Sequence, residues 1–393
     1  MNKAPKIVIV GAGIGGLTAG LCLSQSGFTV QIVERFEEVR EVGAGIMLAP
    51  NASFVCYKRL GLSDELDAVS VPMTHFHVDS WRGSTLYAMS VSPGDHPGPA
   101  RMIHRAALQR VLYDAFDREQ ILLSSPVTGY EMAGDQIAVL TEDGNEIVGD
   151  IVVGADGIHS VIRTQFVGDD PDPLRYHGYT CWRGITTSFE HPDFAFGTLK
   201  EVQGKGLRVG MGYIDEDRVY WWATADTPQG ETDDPSTIIA ELSELYADFP
   251  DHFLAMLEAT PPQQVLRNDI CDRSPLRRWG TEHMTLLGDA AHPMAPNLGQ
   301  GACSAIEDAD MLAICLQQID RSESALRTYE DLRRRRTAWL QSQSKRFGDV
   351  GQWNNGLAVK LRELMTSAFT PLTIKRQLRR LWEYDAQRVF DER

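Results

Sequence analysis

The sequence predicts an α/β fold. A parallel nucleotide-type sheet is assembled from both ends of the chain, an antiparallel sheet is inserted into it, and the C-terminal region is helical. Three observations predict it. A β-branched run, Lys6-Ile7-Val8-Ile9-Val10, leads into Gly11-Ala12-Gly13-Ile14-Gly15-Gly16 and an apolar-periodic segment. A Gly/Asp strand-to-helix corner occurs at Gly154-Ala155-Asp156-Gly157 and again at Gly288-Asp289. Between those two corners, residues 171–280 carry alternating, aromatic-rich runs with the pattern of antiparallel strands.

The first run is continuous and apolar, as in a parallel strand buried on both faces. Gly11 makes the turn, Gly13 admits a pyrophosphate, and Gly16 lets helix and sheet touch. The helix, with Leu17, Leu21 and Leu23, closes at Gly27. A second strand, Thr29-Val30-Gln31-Ile32-Val33, ends on Glu34, 18 residues past Gly16 and placed to take ribose hydroxyls. Strand, glycine loop, helix, strand and acid in register make a Rossmann-like dinucleotide unit. Arg35 either stacks on an adenine or is an ordinary surface arginine. Gly43-Ala44-Gly45-Ile46-Met47 reads as a second Gly-rich loop, lying over the nucleotide or merely turning the chain.

Residues 52–70 read as a helix pair, and 73–100 as irregular strands with turns at Pro93-Gly94 and Pro97-Gly98. Ile103-His104-Arg105 leads into a helix on which Arg105 and Gln109, four apart, share a face. Residues 121–128 resume the sheet, and 136–141 with 146–148 form a hairpin about Asp143-Gly144. In the inserted region Trp182, Tyr213, Tyr220, Trp221 and Trp222 either wall a flat pocket or are simply core. Asp215-Glu216-Asp217 is a hairpin turn. Pairing symmetric about Glu216 puts Arg208 and Tyr220 on one face, and a slip of one residue separates them. Residues 235–258 read as helical.

The chain returns to the nucleotide sheet at Met284. Thr285-Leu286-Leu287 ends a strand, and Asp289 could accept from a sugar hydroxyl or merely cap the corner. A loop punctuated by Pro293 and Pro296 leads through Asn297-Leu298-Gly299-Gln300-Gly301 to a helix opening at about Ala302, whose free N–H groups suit an electron-rich partner. His292 reads as structural, because no Ser or Cys nucleophile pattern attends it. Residues 333–336, four arginines, read as a solvated face. Residues 373–382 are amphipathic and basic (Lys375, Arg376, Arg379, Arg380), a pattern of packing on a neighbouring domain in preference to touching an anionic surface.

The 393 residues suffice for two or three domains. A net charge of −16 argues against nucleic-acid or anionic-membrane partners. The six cysteines lie far apart without a CxxC pair, which gives neither a metal site nor a disulfide framework. With no signal peptide and no apolar run of membrane-spanning length, a cytoplasmic protein without an integral membrane segment is expected, as monomer or homodimer. The expected division is residues 1–72, 101–170 and 281–345 for the nucleotide domain, 73–100 and 171–280 for the substrate sheet, and 346–393 for C-terminal helices.

In order and spacing, residues 11–16 with Glu34, the Asp156 corner and the stretch from Gly288 to Gly301 resemble the single-component (group A) FAD-dependent aromatic monooxygenases, over roughly residues 5–345. The resemblance implies that the nucleotide domain binds FAD. It implies ribose contact by Glu34, further FAD contacts by Arg35, Gly45, Met47, Arg105 and Gln109, and Val127 near the adenine. Asp156 would serve both FAD and NAD(P)H pyrophosphates, and Asp289 the ribityl chain. Pro296 and the backbone of Leu298, Gly299, Gln300, Gly301 and Ala302 would meet the isoalloxazine. The implied cycle takes NADH or NADPH, docked transiently for want of a second GxGxxG, and O2. It hydroxylates a flat, small aromatic substrate through a flavin C4a-hydroperoxide. Two branches look most similar. In urate hydroxylases an Arg near flavin N5 and a pocket Tyr match Arg208 and Tyr220, but an Asp stands where this chain has Asn297. The alkylquinolone 3-hydroxylase type shares that Asn, the Thr180-Cys181-Trp182-Arg183 strand and a tail with Gly351-Gln352-Trp353. Arg208 and Tyr220 are thus the catalytic candidates, with Trp222 and Asn297 beside them as substrate contacts. A flavin dehydrogenase or oxidase, or a flavin-loaded binding protein, are the competing readings.

Overall fold

The computed structural model describes residues 5–38, 44–92, 94–168 and 172–393. Strand β1 (Lys6–Val10), helix α1 (Ile14–Gln25) and strand β2 (Thr29–Val33) form the expected βαβ unit, with β1 and β2 parallel and Val10 opposite Val33. Gly11 has a φ of 105°, a region that favours glycine, and a Cβ at Gly16 would stand 1.9 Å from the Gly11 carbonyl oxygen. Only two glycines allow the helix to start this close to the turn.

Strand β3 (Gly45–Leu48), helix α2 (Pro50–Phe54), a π-helical turn over Val55–Arg59, helix α3 (Ser63–Asp67) and strand β4 (Ser70–Pro72) come next. Strands β5 (His75–Ser80), β6 (Thr85–Ser90) and β7 (Arg101–His104) lead to helix α4 (Arg105–Ala115). Here the structure corrects the second Gly-rich loop. From Gly45 on the chain is a strand, paired antiparallel with β7. Ile46, Met47 and Leu48 suit a strand, but the edge they pair with lies far along the chain. Gly43 of that expected loop, and Pro93 of the expected turn, lie outside the described residues.

Of residues 121–128, only strand β8 (Ile121–Leu122) rejoins the parallel sheet. Strands β9 (Val127–Ala133), β10 (Gln136–Thr141) and β11 (Glu146–Gly149) form a separate antiparallel sheet. Strand β12 (Ile151–Gly154) and helix α5 (Val161–Val167) complete the second Gly/Asp corner. The inserted region supplies strands β13 (Arg175–Ile185), β14 (Thr198–Gln203), β15 (Leu207–Tyr213) and β16 (Val219–Ala225). Helices α6 (Ile238–Leu245) and α7 (Asp251–Glu258) and strand β17 (Leu266–Asp272) follow. Strand β18 (Met284–Leu286) returns to the parallel sheet. Four helices end the chain: α8 (Gly301–Gln318), α9 (Ser322–Gly351), α10 (Gly356–Trp382) and α11 (Ala386–Asp391).

The parallel sheet has the order β18-β12-β1-β2-β8, so its strands come from both sides of the insertion. The large sheet has the order β17-β13-β16-β15-β14-β5-β6 and is antiparallel except where β14 runs parallel to β5. Tyr213 pairs with Val219 and Arg208 with Thr224, so the β15–β16 hairpin is centred on Glu216. Directly opposed residues share a face, which sets Arg208, Tyr220 and Trp222 on one side of the sheet.

Helix α8 packs on α1 and is buried from Cys303 to Leu316, acids included. Those acids correct the reading of the arginine run. Arg333 is fully buried, its guanidinium 2.6 Å from Asp308 Oδ1 and 2.8 Å from Glu307 Oε2, and Arg336 reaches Glu307 Oε1 at 2.6 Å. A buried carboxylate needs a counter-charge, and α9 supplies two. His292 Nε2 meets the other Asp308 oxygen at 2.5 Å. Burial alone would raise the Asp308 carboxyl, but His292 and Arg333 hold it down at about 2.

Candidate functional site

The glycine loop, the two Gly/Asp corners and the β15–β16 face open onto one continuous cavity of about 1290 Å³. Two helices start at its wall without a side-chain cap or an acidic residue in the first turn: α1 behind Gly13, and α8 behind Gln300. Their first N–H groups are thus left for a ligand with negative charge. A Cβ at Gly13 would meet nothing within 4 Å, while Gly11 and Gly15 have neighbours under 3 Å from such an atom. The loop is packed on its protein side and open on its cavity side, a cradle of the kind a pyrophosphate needs.

Glu34 stands at the end of β2. Its carboxylate accepts from the Ala12 N–H at 2.7 Å and the Phe36 N–H at 3.1 Å, which pins it beside the loop. Gln109 Nε2 donates to the Ala12 carbonyl at 2.7 Å, so α4 braces the same loop. Arg35, Arg105 and Val127 also line this end. Asp156 lines it while capping α5, accepting from the Val161 N–H at 2.7 Å. Burial raises its carboxyl against the pull of those bonds. Asp289 faces the open cavity, and its carboxylate accepts no hydrogen bond from the described residues. The surrounding protein raises it, with His292 and Arg105 pulling it back. Gly45, Met47, Pro296, Leu298, Gly299, Gly301 and Ala302 line the middle. Two expected residues do not line the cavity. Gly16 is packed under Gly11, and the Gln300 side chain turns away to accept from Asn51 Nδ2 at 3.0 Å.

The far end is walled by Tyr220 and Trp222, whose ring centroids lie 5.6 Å apart at 32°. Gly45 exists to admit this wall, since a Cβ there would stand 2.4 Å from Tyr220 Cγ. Burial pushes the Tyr220 phenol up. Arg208 lies in a polar cluster beside it. Its Nη2 donates to Asn297 Oδ1 at 2.8 Å and its Nε to Gln352 Oε1 at 3.1 Å. Asn297 Nδ2 in turn reaches the Tyr179 hydroxyl and the Ser344 carbonyl, both at 2.9 Å. Among the described residues no carboxylate lies within 4 Å of the Arg208 guanidinium. Sequence reasoning missed Tyr179 and Gly348, and it met Gly351 and Gln352 only as part of a tail match, without a place in the site. A Cβ at Gly348 would meet Asn297 Nδ2 at 2.5 Å, and one at Gly351 would meet Arg208 Nε at 2.7 Å. Two glycines three apart near the end of a long helix were the available signal.

A dinucleotide unit, a second Gly/Asp corner and a sheet-walled chamber on one cavity define a flavin-binding protein that holds a second molecule against the cofactor. Residues 5–344 match the family described as FAD binding domain, and the chain belongs to it. Over 370 residues it is 37% identical to aurachin C monooxygenase/isomerase from Stigmatella aurantiaca, covering 92% of this chain and 94% of that one. It is 32% identical over 353 residues to the FAD-dependent urate hydroxylase of Klebsiella pneumoniae, covering 88% and 90%. The solved structure of Klebsiella pneumoniae HpxO complexed with FAD and uric acid superposes with a TM-score of 0.88 at 28% identity, covering 98% of this chain and 96% of that one. The chain is thus an FAD-dependent enzyme of the monooxygenase and hydroxylase class.

Proposed function

We propose that the enzyme hydroxylates a flat, electron-rich N-heteroaromatic ring of quinolone type, with NADH or NADPH and O2 as co-substrates, in the cytoplasm. In this reading residues 1–72, 101–170 and 281–345 bind FAD, residues 73–100 and 171–280 bind the substrate, and residues 346–393 cover them. Bound FAD, once reduced, supplies the oxygen-activating chemistry. Glu34 holds its ribose, the glycine loop and the α1 N-terminus its pyrophosphate, and Asp289 its ribityl hydroxyls. Arg35, Arg105, Gln109, Val127 and Asp156 line the adenosine and pyrophosphate end. The N-terminus of α8 favours negative charge on the reduced ring.

One observation carries the substrate class. Arg208 is buried, faces the cavity, and is held by two neutral acceptors, Asn297 and Gln352, in place of a carboxylate. Its charge is therefore available to the ligand. Because the ring gives electrons from carbon to an electrophilic oxidant, a cation here serves to hold and orient a ring oxygen that already carries negative charge before the step. Tyr220 and Trp222 give that ring a flat wall and exclude water. The protonated Tyr220 phenol orients the substrate as a donor. Urate is the ligand in the HpxO structure; the neutral Asn297 supports a ring that does not need a carboxylate partner.

The test is anaerobic reduction of the bound flavin by NADH and by NADPH, with and without quinolones, purines and phenols. Acceleration by the quinolones is expected, and Arg208→Ala should lower turnover by about 10²-fold while the flavin stays bound. Reduction indifferent to every ring class would overturn the hydroxylase reading in favour of a dehydrogenase or a binding protein.

A further inference from the structure

Helix α10 turns an apolar face outward. Leu357 is 80% exposed and Leu372 79%, and Leu361, Leu364 and Phe369 are all more than half exposed. At about 100° per residue these five fall within an arc of about 140°. Val359, on the opposite side, and Arg362, beside one edge of the arc, are buried. Past Pro371 the outer side becomes basic, with Lys375, Arg376 and Arg379 on the same arc and Arg380 at its edge over the Trp339 ring, all four exposed. The one carboxylate on α10, Glu363, is turned inward and accepts from Ser80 Oγ at 2.7 Å. Contiguous exposed apolar surface of this extent marks an interaction site. A second observation says what lies there. Phe347 (42% exposed) and Met365 (41% exposed) stand on the surface and also line the central cavity, so the cavity's outer end opens beside the apolar arc.

We propose that the outer face of α10 docks on an anionic lipid surface, its leucines and Phe369 entering the acyl boundary and its four basic residues meeting the headgroups. The helix is too polar to cross a bilayer, and no described helix is long and apolar enough to do so; an interfacial helix is the arrangement this sequence allows. The chain's net charge of −16 does not prevent it. Screening over about 8 Å at physiological salt makes the local block decisive once contact is near. A second copy of this chain fits less well. Two α10 helices face to face would bring a basic block against a helix with no outward carboxylate, between two chains that each carry −16. Docked on lipid, the cavity mouth at Phe347 and Met365 faces the phase in which apolar aromatic compounds dissolve. The proposal concerns binding and stands apart from the identity of the reaction.

The test uses the FAD-loaded full chain with vesicles of phosphatidylcholine, with or without 30% phosphatidylglycerol, followed by co-sedimentation. Binding to the anionic vesicles, weakened by added salt, is expected. Lys375→Glu, Arg376→Glu, Arg379→Glu and Arg380→Glu together should weaken it by at least about a hundredfold, since each charge near such a surface is worth about fivefold. Leu357→Ser, Leu361→Ser, Leu364→Ser and Leu372→Ser together should weaken it about tenfold or more, with flavin absorbance unchanged in both variants. No binding to anionic vesicles, or equal binding to neutral ones, overturns the proposal. So does sedimentation velocity in which the chain is a dimer that the Leu→Ser variant converts to monomer, which would make the occupant a second copy.

Discussion

At the scale of single residues, Asp310 shows how α8 carries acid inside the core at a cost. It is 4% exposed, its Oδ2 has no hydrogen-bond partner, and its ion pair with Arg59 is long at 3.7 Å. Burial raises its carboxyl to about 6 against the pull of Arg59. A folded-state value above the unfolded one means stability present at low pH that is lost as pH rises through about 6. Asp310→Asn removes that loss. It should raise stability by about 2–3 kcal/mol at pH 8 and change little at pH 4, as read by urea denaturation at both pH values. Asp308 has the opposite sign: its contribution holds above about pH 4 and fades as pH falls toward its value of about 2. Residues whose role is local were legible in the sequence. Glu34 and Gly11 announce themselves by spacing alone. Tyr179 and Gln352 do not, because Tyr179 meets Asn297 118 residues away and Gln352 meets Arg208 144 residues away, each on a different element.

At the scale of elements, the β15–β16 hairpin was legible because a short turn fixes its register, and the register fixes which side chains face together. The β3–β7 pair was not, since local pattern cannot name a strand's partner across 52 intervening positions. The α8–α9 contact was misread for a related reason. Four arginines in a row look solvated until a facing helix with Glu307 and Asp308 is in place. Arg333→Met leaves two buried carboxylates short of a counter-charge and is expected to cost about 3–5 kcal/mol. The nearby Arg335→Ala, on the exposed side, should stay within about 0.5 kcal/mol. Thermal melts of the two variants against the parent chain separate these outcomes.

At the scale of the whole molecule, no single segment contains the cavity. Its walls come from the glycine loop, α4, the large sheet, the stretch after β18 and the ends of α9 and α10. That is why the cavity end lined by the glycine loop, Glu34 and Asp156 could be anticipated residue by residue, while the extension between α9 and α10 could not: its lining residues are ordinary apolar helix residues until the helices are packed. The strand order β18-β12-β1-β2-β8 has a consequence for how the protein is made. The earliest-made strand of this sheet, β1, becomes its middle, and β12 and β18 are synthesised some 145 and 278 residues later (at about 5–20 residues per second, tens of seconds). The nascent βαβ unit already has its glycines, while Ala155, Leu287 and Ala305, which pack under Gly11 and Gly15, and Asp289 and the α8 N-terminus do not yet exist. Flavin capture should therefore be a late event. Ribosome-bound chains arrested before residue 284 should retain no flavin through gel filtration, and chains extended by one exit-tunnel length past α8 should retain it.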